Sequence, residues 1–235
     1  MAKGIHDGHR QRMKDQFIRN GLSSFNSHQI VELLLFYSIP REDTNETAHR
    51  LIDRFGSLNS LFLANRRQLL DVDGIGENSA TLLQLIGQLI RRCGEEERPL
   101  GSILKTPSDY GKFLLPRFLG EQNEVVWFIS MTNTGEVLNC AMLNKGSVNA
   151  TEINIRLALQ QALEDNATTA VIAHNHPSGF AIPSKQDIAT TRDLFLMLYT
   201  AGVTLLDHII VADNDFVSMR ESPTLKYVFT RPERS

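Results

Sequence analysis

Cysteine is scarce in this chain, with Cys93 and Cys140 alone among 235 residues. Two thiols cannot build a disulfide framework, and they suit a reducing compartment. Neither stands near a histidine cluster in sequence, so both read as structural. Long apolar runs are missing too. Nothing approaches the roughly 18 consecutive apolar residues of a membrane span. The opening MAKGIHDGHRQRMK lacks the apolar stretch of a secretory signal, so the expected location is the cytoplasm. There is no dominant charge either. With 24 Lys/Arg against 27 Asp/Glu the net charge is −3, which excludes a polycation that coats nucleic acid by charge alone. Repeats of solenoid length and low-complexity tracts are also absent.

What remains is an ordinary globular composition, 42% hydrophobic and 22% charged, in a length that suits one large domain or two smaller ones. The pattern changes near Gly94-Glu95-Glu96-Glu97-Arg98-Pro99-Leu100-Gly101, where charge, Pro and Gly cluster without apolar periodicity. Residues 1–93 carry 12 Lys/Arg against 10 Asp/Glu, and the remainder 12 against 17, so the first part is slightly basic and the second acidic. Before the break everything reads helical: His28 to Tyr37, Thr44 to Phe55 ending at Gly56, short segments capped by Ser57 and Asn65, and Asn78 to Cys93. After it, helices and strands alternate. A helix over Ser108 to Leu119, interrupted by Pro116, leads into strands at Val125 to Met131 and Glu136 to Leu143. A helix from Thr151 to Leu163 precedes a strand at Thr169 to His176, a helix at Ser184 to Tyr199 and a strand at Val203 to Val211. A short edge strand is expected at Phe216 to Met219. The expected organisation is a helical domain 1–93, a linker 94–104, an α/β domain 105–221 with a mixed sheet flanked by helices, and a loose or partner-bound tail 222–235.

The most specific motif lies in the second part. His174-Asn175-His176-Pro177 ends a strand, and Pro183-Ser184-Lys185-Gln186-Asp187 opens a helix. Side chains two apart on a strand share one face, so both imidazoles face one way. Asp187, in the first helical turn, adds a carboxylate. Two His nitrogens and one carboxylate oxygen suit Zn²⁺, one ion per chain, with a fourth position open to water. Ser184 and Asp187 also read as a capping box, and a capped helix can orient the ligand that it carries.

This string, with His-x-His, seven residues, Ser184, two residues and Asp187, resembles the JAMM signature of MPN-type metalloproteases. With Asp207-His208-Ile209-Ile210 downstream it is similar to the RadC family in particular, over about Gly8 to Val211. The resemblance implies an MPN-like (cytidine-deaminase-like) fold and zinc-dependent hydrolysis of a peptide or isopeptide bond. By the family's name it also implies a link to DNA repair. It implies a catalytic base on an upstream Glu and an oxyanion donor at Ser184. Four residues are candidates for the base: Glu121, Glu124, Glu136 and Glu152. Spacing alone does not choose among them. Glu124 has the best context, at the start of the strongest strand, and RadC-like chains carry a Glu there. One departure stands out. RadC-like chains carry a Pro-Arg pair before the helix that leads to the metal strand, and here the stretch is Val148-Asn149-Ala150-Thr151-Glu152. Asp207 and His208 read as a buried, hydrogen-bonded pair.

The helical part has a motif of its own, Val72-Asp73-Gly74-Ile75-Gly76-Glu77, which reads as the turn of a helix-hairpin-helix. Gly74 and Gly76 let the backbone turn tightly and approach another chain, and a following helix N-terminus suits phosphate. That would be sequence-independent DNA contact, with Arg66, Arg67, Arg91 and Arg92 as possible helpers. The same turn equally reads as a joint between packed helices. His6-Asp7-Gly8-His9-Arg10 has no ligand partners at suitable spacing and reads as a basic, partly ordered arm. The rival functional readings are a non-catalytic DNA-processing factor and a metal-dependent nuclease.

Overall fold

A computed structural model describes residues 5–121, 123–145, 154–177, 179–212 and 215–230. The chain divides into two compact units, Met1–Ile90 and Arg91–Ser235. Among the described residues no helix is long and apolar enough to cross a membrane.

The first unit is built from α1 (Ile5–Asn20), α2 (Ser27–Ser38), α3 (Asn45–Phe55), α4 (Leu58–Leu63), α5 (Arg66–Leu70) and the first part of α6 (Glu77–Glu96). Local chemistry sets its joints. Asn26 and Asn65 form capping boxes with Gln29 and Gln68, and Ser57 caps α4. Gly56 ends α3 at φ 74°. The core gathers Val31, Leu35, Leu51, Leu61, Leu69 and Leu83. Helix α6 comes very close to α4 at Gly87, where an added Cβ would lie 2.0 Å from the Phe62 carbonyl oxygen. The expectation of a partly ordered N-terminal arm fails: α1 is a helix of 16 residues. Its pattern is too polar to announce a helix, and polar tertiary contacts hold it. Arg10 donates to the carbonyls of Pro40, Ile39 and Glu42 beyond α2. His9 bonds the fully buried Glu32 at 2.9 Å.

The second unit opens with α7 (Pro107–Phe118), capped by Thr106 and Asp109. There follow β1 (Val125–Met131), β2 (Val137–Lys145), α8 (Ile155–Glu164), β3 (Thr169–Asn175), α9 (Lys185–Thr200), β4 (Thr204–Ala212) and β5 (Asp215–Ser218). They form one mixed sheet in the order β2-β1-β3-β4-β5. β1 runs antiparallel to β3, and β3 runs parallel to β4, as a crossover through α9 requires. Each strand alternates between two cores. Val126, Phe128, Ile172 and Ile210 face α8 and α9. Val125, Ile129, Val171 and Ile209 face α7.

Three expectations need correcting here. Helix α7 runs through Pro116. That residue stands two positions before the helix end, so the bond to Lys112 that it forfeits and any kink it causes fall in the final turn and leave the rest of the helix intact. The expected linker 94–104 is largely structured. α6 continues to Glu96, Ser102 and Val137 exchange a backbone bond, Ile103 bridges to Glu136, and Leu104 is buried. The expected loose tail is docked as far as Thr230: Val228 and Phe229 enter the α8–α9 core, and Arg192 donates to the Val228 and Thr230 carbonyls.

Candidate metal centre

The β1–β3 pairing builds the site. Val126 lies opposite His174, so continuing the antiparallel register puts Glu124 opposite His176, on the same face by alternation. Asp187 reaches the same spot from the first turn of α9. That turn is fixed by Ser184, whose hydroxyl oxygen accepts the Asp187 N–H at 3.1 Å, while the Ser184 N–H donates to Asp187 Oδ2 at 2.7 Å. The structure thus brings His174, His176 and Asp187 together, with ligand atoms all within 4.8 Å of one another. It is the one group of three such residues found among the described residues.

The separations test the fit of an ion. His174 Nε2 lies 2.8 Å from His176 Nε2 and 3.3 Å from Asp187 Oδ1, and His176 Nε2 lies 3.6 Å from Asp187 Oδ2. With metal–ligand bonds of about 2.0–2.1 Å, neighbouring ligand atoms of a tetrahedron stand roughly 3.3 Å apart, which those distances bracket. Proton bookkeeping points the same way. The Thr191 hydroxyl donates to the Asp187 carbonyl at 2.5 Å, so its oxygen accepts from His208 Nδ1 at 2.6 Å. That leaves His208 Nε2 bare to accept from His174 Nδ1 at 2.7 Å. His174 Nε2 is therefore a lone pair facing the site. On the other ligand, His176 Nδ1 donates to the Phe180 carbonyl at 3.0 Å, which leaves its Nε2 facing inward too. Two imidazole lone pairs and a carboxylate converge, an arrangement that calls for a cation between them.

Electrostatics agree. Burial holds His174 down at about 4 and pushes His208 well below the ordinary histidine value, so both are neutral. Asp187 is held well below the usual carboxylate range: its burial is outweighed by His176, His174 and Ser184. His176 is raised by its bond to Asp187 and, more weakly, by the charge of Glu124. The carboxylates around the site thus favour a positive charge at His176.

Several contributors lay outside the sequence reading. Asn175 is buried, and its side chain accepts the Val125 N–H at 2.7 Å and donates to the Asn123 carbonyl at 3.1 Å. It thereby straps down the backbone on both sides of Glu124. His208 and Thr191, both fully buried, orient His174 and Asp187. Asp207 and His208 are both buried and hydrogen-bonded to each other as expected, but through the His208 backbone N–H and not its ring. Asp207 lies on the opposite face of β4 and accepts from Ser218 Oγ and the backbone N–H groups of His208 and Arg220. No spacing signal could have found these links, because they cross between elements.

The other base candidates are placed elsewhere. Glu136 sits beyond the far end of β1, about 20 Å from the His174 end at ~3.3 Å per residue. Glu121 is paired with Arg91 at 3.2 Å. Glu152, like the rest of the 148–152 departure, lies outside the described residues. The Cys140 thiol is pushed up to about 12 by burial and carries no nucleophilic chemistry.

Gly74 and Gly76 occupy the α5–α6 turn of the first unit. Gly74 has φ 89° and packs on Thr47, while a Cβ at Gly76 would meet open space. The turn is flanked by carboxylates already matched to arginines: Asp73 with Arg50, Asp71 with Arg54 and Glu77 with Arg66.

A mixed five-stranded α/β domain with a buried His-His-Asp cluster able to hold a metal is a metallohydrolase-like JAB/MPN architecture. Residues 104–224 match the family described as the RadC-like JAB domain, and the chain belongs to that family. It is 32% identical over 228 residues to the UPF0758 protein FN0909 of Fusobacterium nucleatum, covering 94% of this chain and 98% of that one. It is 31% identical to a UPF0758 protein of Marinobacter nauticus over 90% of this chain and 94% of the relative. A UPF0758 protein of Bacillus pumilus matches at 30%, over 92% and 96% respectively.

Proposed function

We propose that this chain is a zinc-dependent hydrolase that cleaves a peptide or isopeptide bond, with His174, His176 and Asp187 as the ion's ligands. The observation that carries the reading is the convergence of His174, His176 and Asp187, whose ligand atoms stand at separations that bracket those of a tetrahedral site. Two nitrogens, one oxygen and an open fourth position form a ligand set of the catalytic zinc type. When bound there, the ion lowers the pKa of water towards about 7 and polarises a carbonyl oxygen.

The chain's own groups do the rest. Glu124, strapped by Asn175 opposite His176, takes the proton from the attacking water and delivers it to the leaving nitrogen. Ser184 uses its oxygen to cap α9, and its hydroxyl hydrogen remains to donate to the developing oxyanion. His208 and Thr191 keep His174 in the tautomer that presents Nε2. The loop between the ligands exposes Phe180 and Ile182, at 82% and 67%. Such an apolar lip favours an organic chain over a phosphodiester. A nuclease of the two-metal kind needs a second ligand cluster, and none is found among the described residues. DNA contact through the Gly74–Gly76 turn has against it the three carboxylates that flank it.

The test is Glu124→Gln, assayed on a peptide pool that the unmodified chain cleaves. Metal content and fold should be kept while turnover falls by about 10²–10⁴-fold, the range for losing a general acid–base group. Unchanged turnover would place the base elsewhere, and loss of metal would make Glu124 a ligand.

A further inference from the structure

The second unit holds another concave site, at the opposite end of the sheet and on its other face. A cavity of about 1030 Å³ opens between the β1–β2 turn, the start of α7, the N-terminal ends of β3 and β4, and the segment after β5. That is the upper end of the size range of small-molecule sites. Three cations line it, Lys105, Arg220 and Lys226, and none of them takes part in an ion pair described above. Arg220 spends one nitrogen on the Leu206 carbonyl and keeps its other donors. Tyr110 lines the cavity from below. It is 95% buried, judged by its 5% exposure, and its hydroxyl has no hydrogen-bond partner among the described residues. Among the described residues the sealed unpartnered side-chain atoms are Thr44 Oγ1 and Trp127 Nε1, so the Tyr110 hydroxyl is not sealed, and Tyr110 lines the cavity. Leu104, Pro107 and Leu206 give the walls apolar surface.

The opposing charges are Asp207 and Glu221. Asp207 already accepts three hydrogen bonds, whose donors offset part of its charge. Glu221 lies exposed at the rim, where solvent screens it.

We infer that this cavity is a binding site for a small organic phosphate, with the phosphate at Lys105, Arg220 and Lys226 and a polar group of the organic part at the Tyr110 hydroxyl. The charge requirement comes from three cations around one concavity: Lys105 and Lys226 have no ion-pair partner among the described residues, and Arg220, beside Asp207 and over the Phe229 ring, adds a third charge. The organic part is required by the apolar walls and by the volume, several times that of a bare phosphate. The site is independent of the metal centre, so its failure would leave the hydrolase reading untouched.

Calorimetric titration of the full chain carrying His174→Ala and His176→Ala keeps phosphate chelation at the metal centre out of the measurement. The probes are AMP, phosphoserine, adenosine and inorganic phosphate. At least one organic phosphate should saturate a single site, and its dephosphorylated counterpart should bind at least about tenfold more weakly, 1.4 kcal/mol. Lys105→Gln with Lys226→Gln, both exposed, should weaken the organic phosphate about tenfold or more with the melting temperature unchanged. Tyr110→Phe should weaken the organic phosphate and leave inorganic phosphate as it was. The inference is overturned if neither organic phosphate saturates below about 10 mM, if adenosine binds as well as AMP, or if the double lysine variant binds as the parent does.

Discussion

The turn at Gly74–Gly76 and the turn at His176–Ser184 both precede a helix, and both looked functional in sequence. They differ in how their charges are settled. Around the glycine turn each carboxylate has an arginine within 3.5 Å or less, so the local account closes without a ligand. Around the histidine turn three acceptors face one point: the partners of His174 and His176 turn ring lone pairs towards it, and Ser184 fixes the Asp187 carboxylate beside them. An incomplete charge balance inside a rigid frame marks a binding site better than the presence of glycine or of a helix end does.

The comparison is broken most severely by removing ligands. His174→Ala with His176→Ala should take bound metal from about one ion per chain to none, read by elemental analysis after purification without chelator. Asp187→Asn should lose metal while keeping an oxygen to accept the Ser184 N–H, so α9 loses only the carboxylate charge at its N-terminus, about 0.3–1 kcal/mol. Retained metal in either would refute the assigned site. His208→Phe keeps volume but deletes the bond that orients His174. Metal affinity should fall about 10–100-fold, the usual cost of losing an outer partner of a ligand, as read by competition with a chromophoric chelator. Unchanged affinity would make His208 mere packing.

Acid sharpens the same contrast. The metal-free chain gains stability from the His176–Asp187 pair fully below the ordinary histidine value of about 6.5, and loses it as pH rises through the raised folded value. Metal needs His176 without its proton, so ion affinity should rise across that same interval. Titration of metal binding against pH checks this, and a flat profile would contradict the His176 assignment.

The smallest effects belong to the glycine turn. Gly74→Ala puts a Cβ 2.6 Å from Thr47 Oγ1 at positive φ and should destabilise the chain by about 1–3 kcal/mol. Gly76→Ala should change stability by less than about 1 kcal/mol. Gly76→Ala therefore offers a clean test of DNA contact. Duplex DNA titrated into the full chain at low salt either binds and weakens with this variant, or shows that the turn is a joint between helices.

How much of this could be read in the sequence follows from contact range. His174, His176 and Asp187 were legible because strand alternation and a capped helix place them locally. Glu124 was legible only in part, since its position opposite His176 depends on the β1–β3 register. Asn175 and Thr191 escaped, and His208 was seen as buried but without its bond to His174, because these bonds span up to 52 residues, a distance over which residue type alone says nothing. Helix α1 and the docked 225–230 segment escaped for a related reason: Arg10 and Arg192 hold them by donating to carbonyls, which have no signature in sequence.

The double duty of Asp187 has an experimental use. The proposed Zn²⁺ would be colourless and magnetically silent, so its loading would be hard to follow directly. The Ser184 backbone N–H, however, leans on Asp187 Oδ2 at 2.7 Å, and any ion that draws charge from that carboxylate must loosen this bond. The amide resonance of Ser184, and its rate of exchange with solvent, would therefore act as a built-in gauge of occupancy.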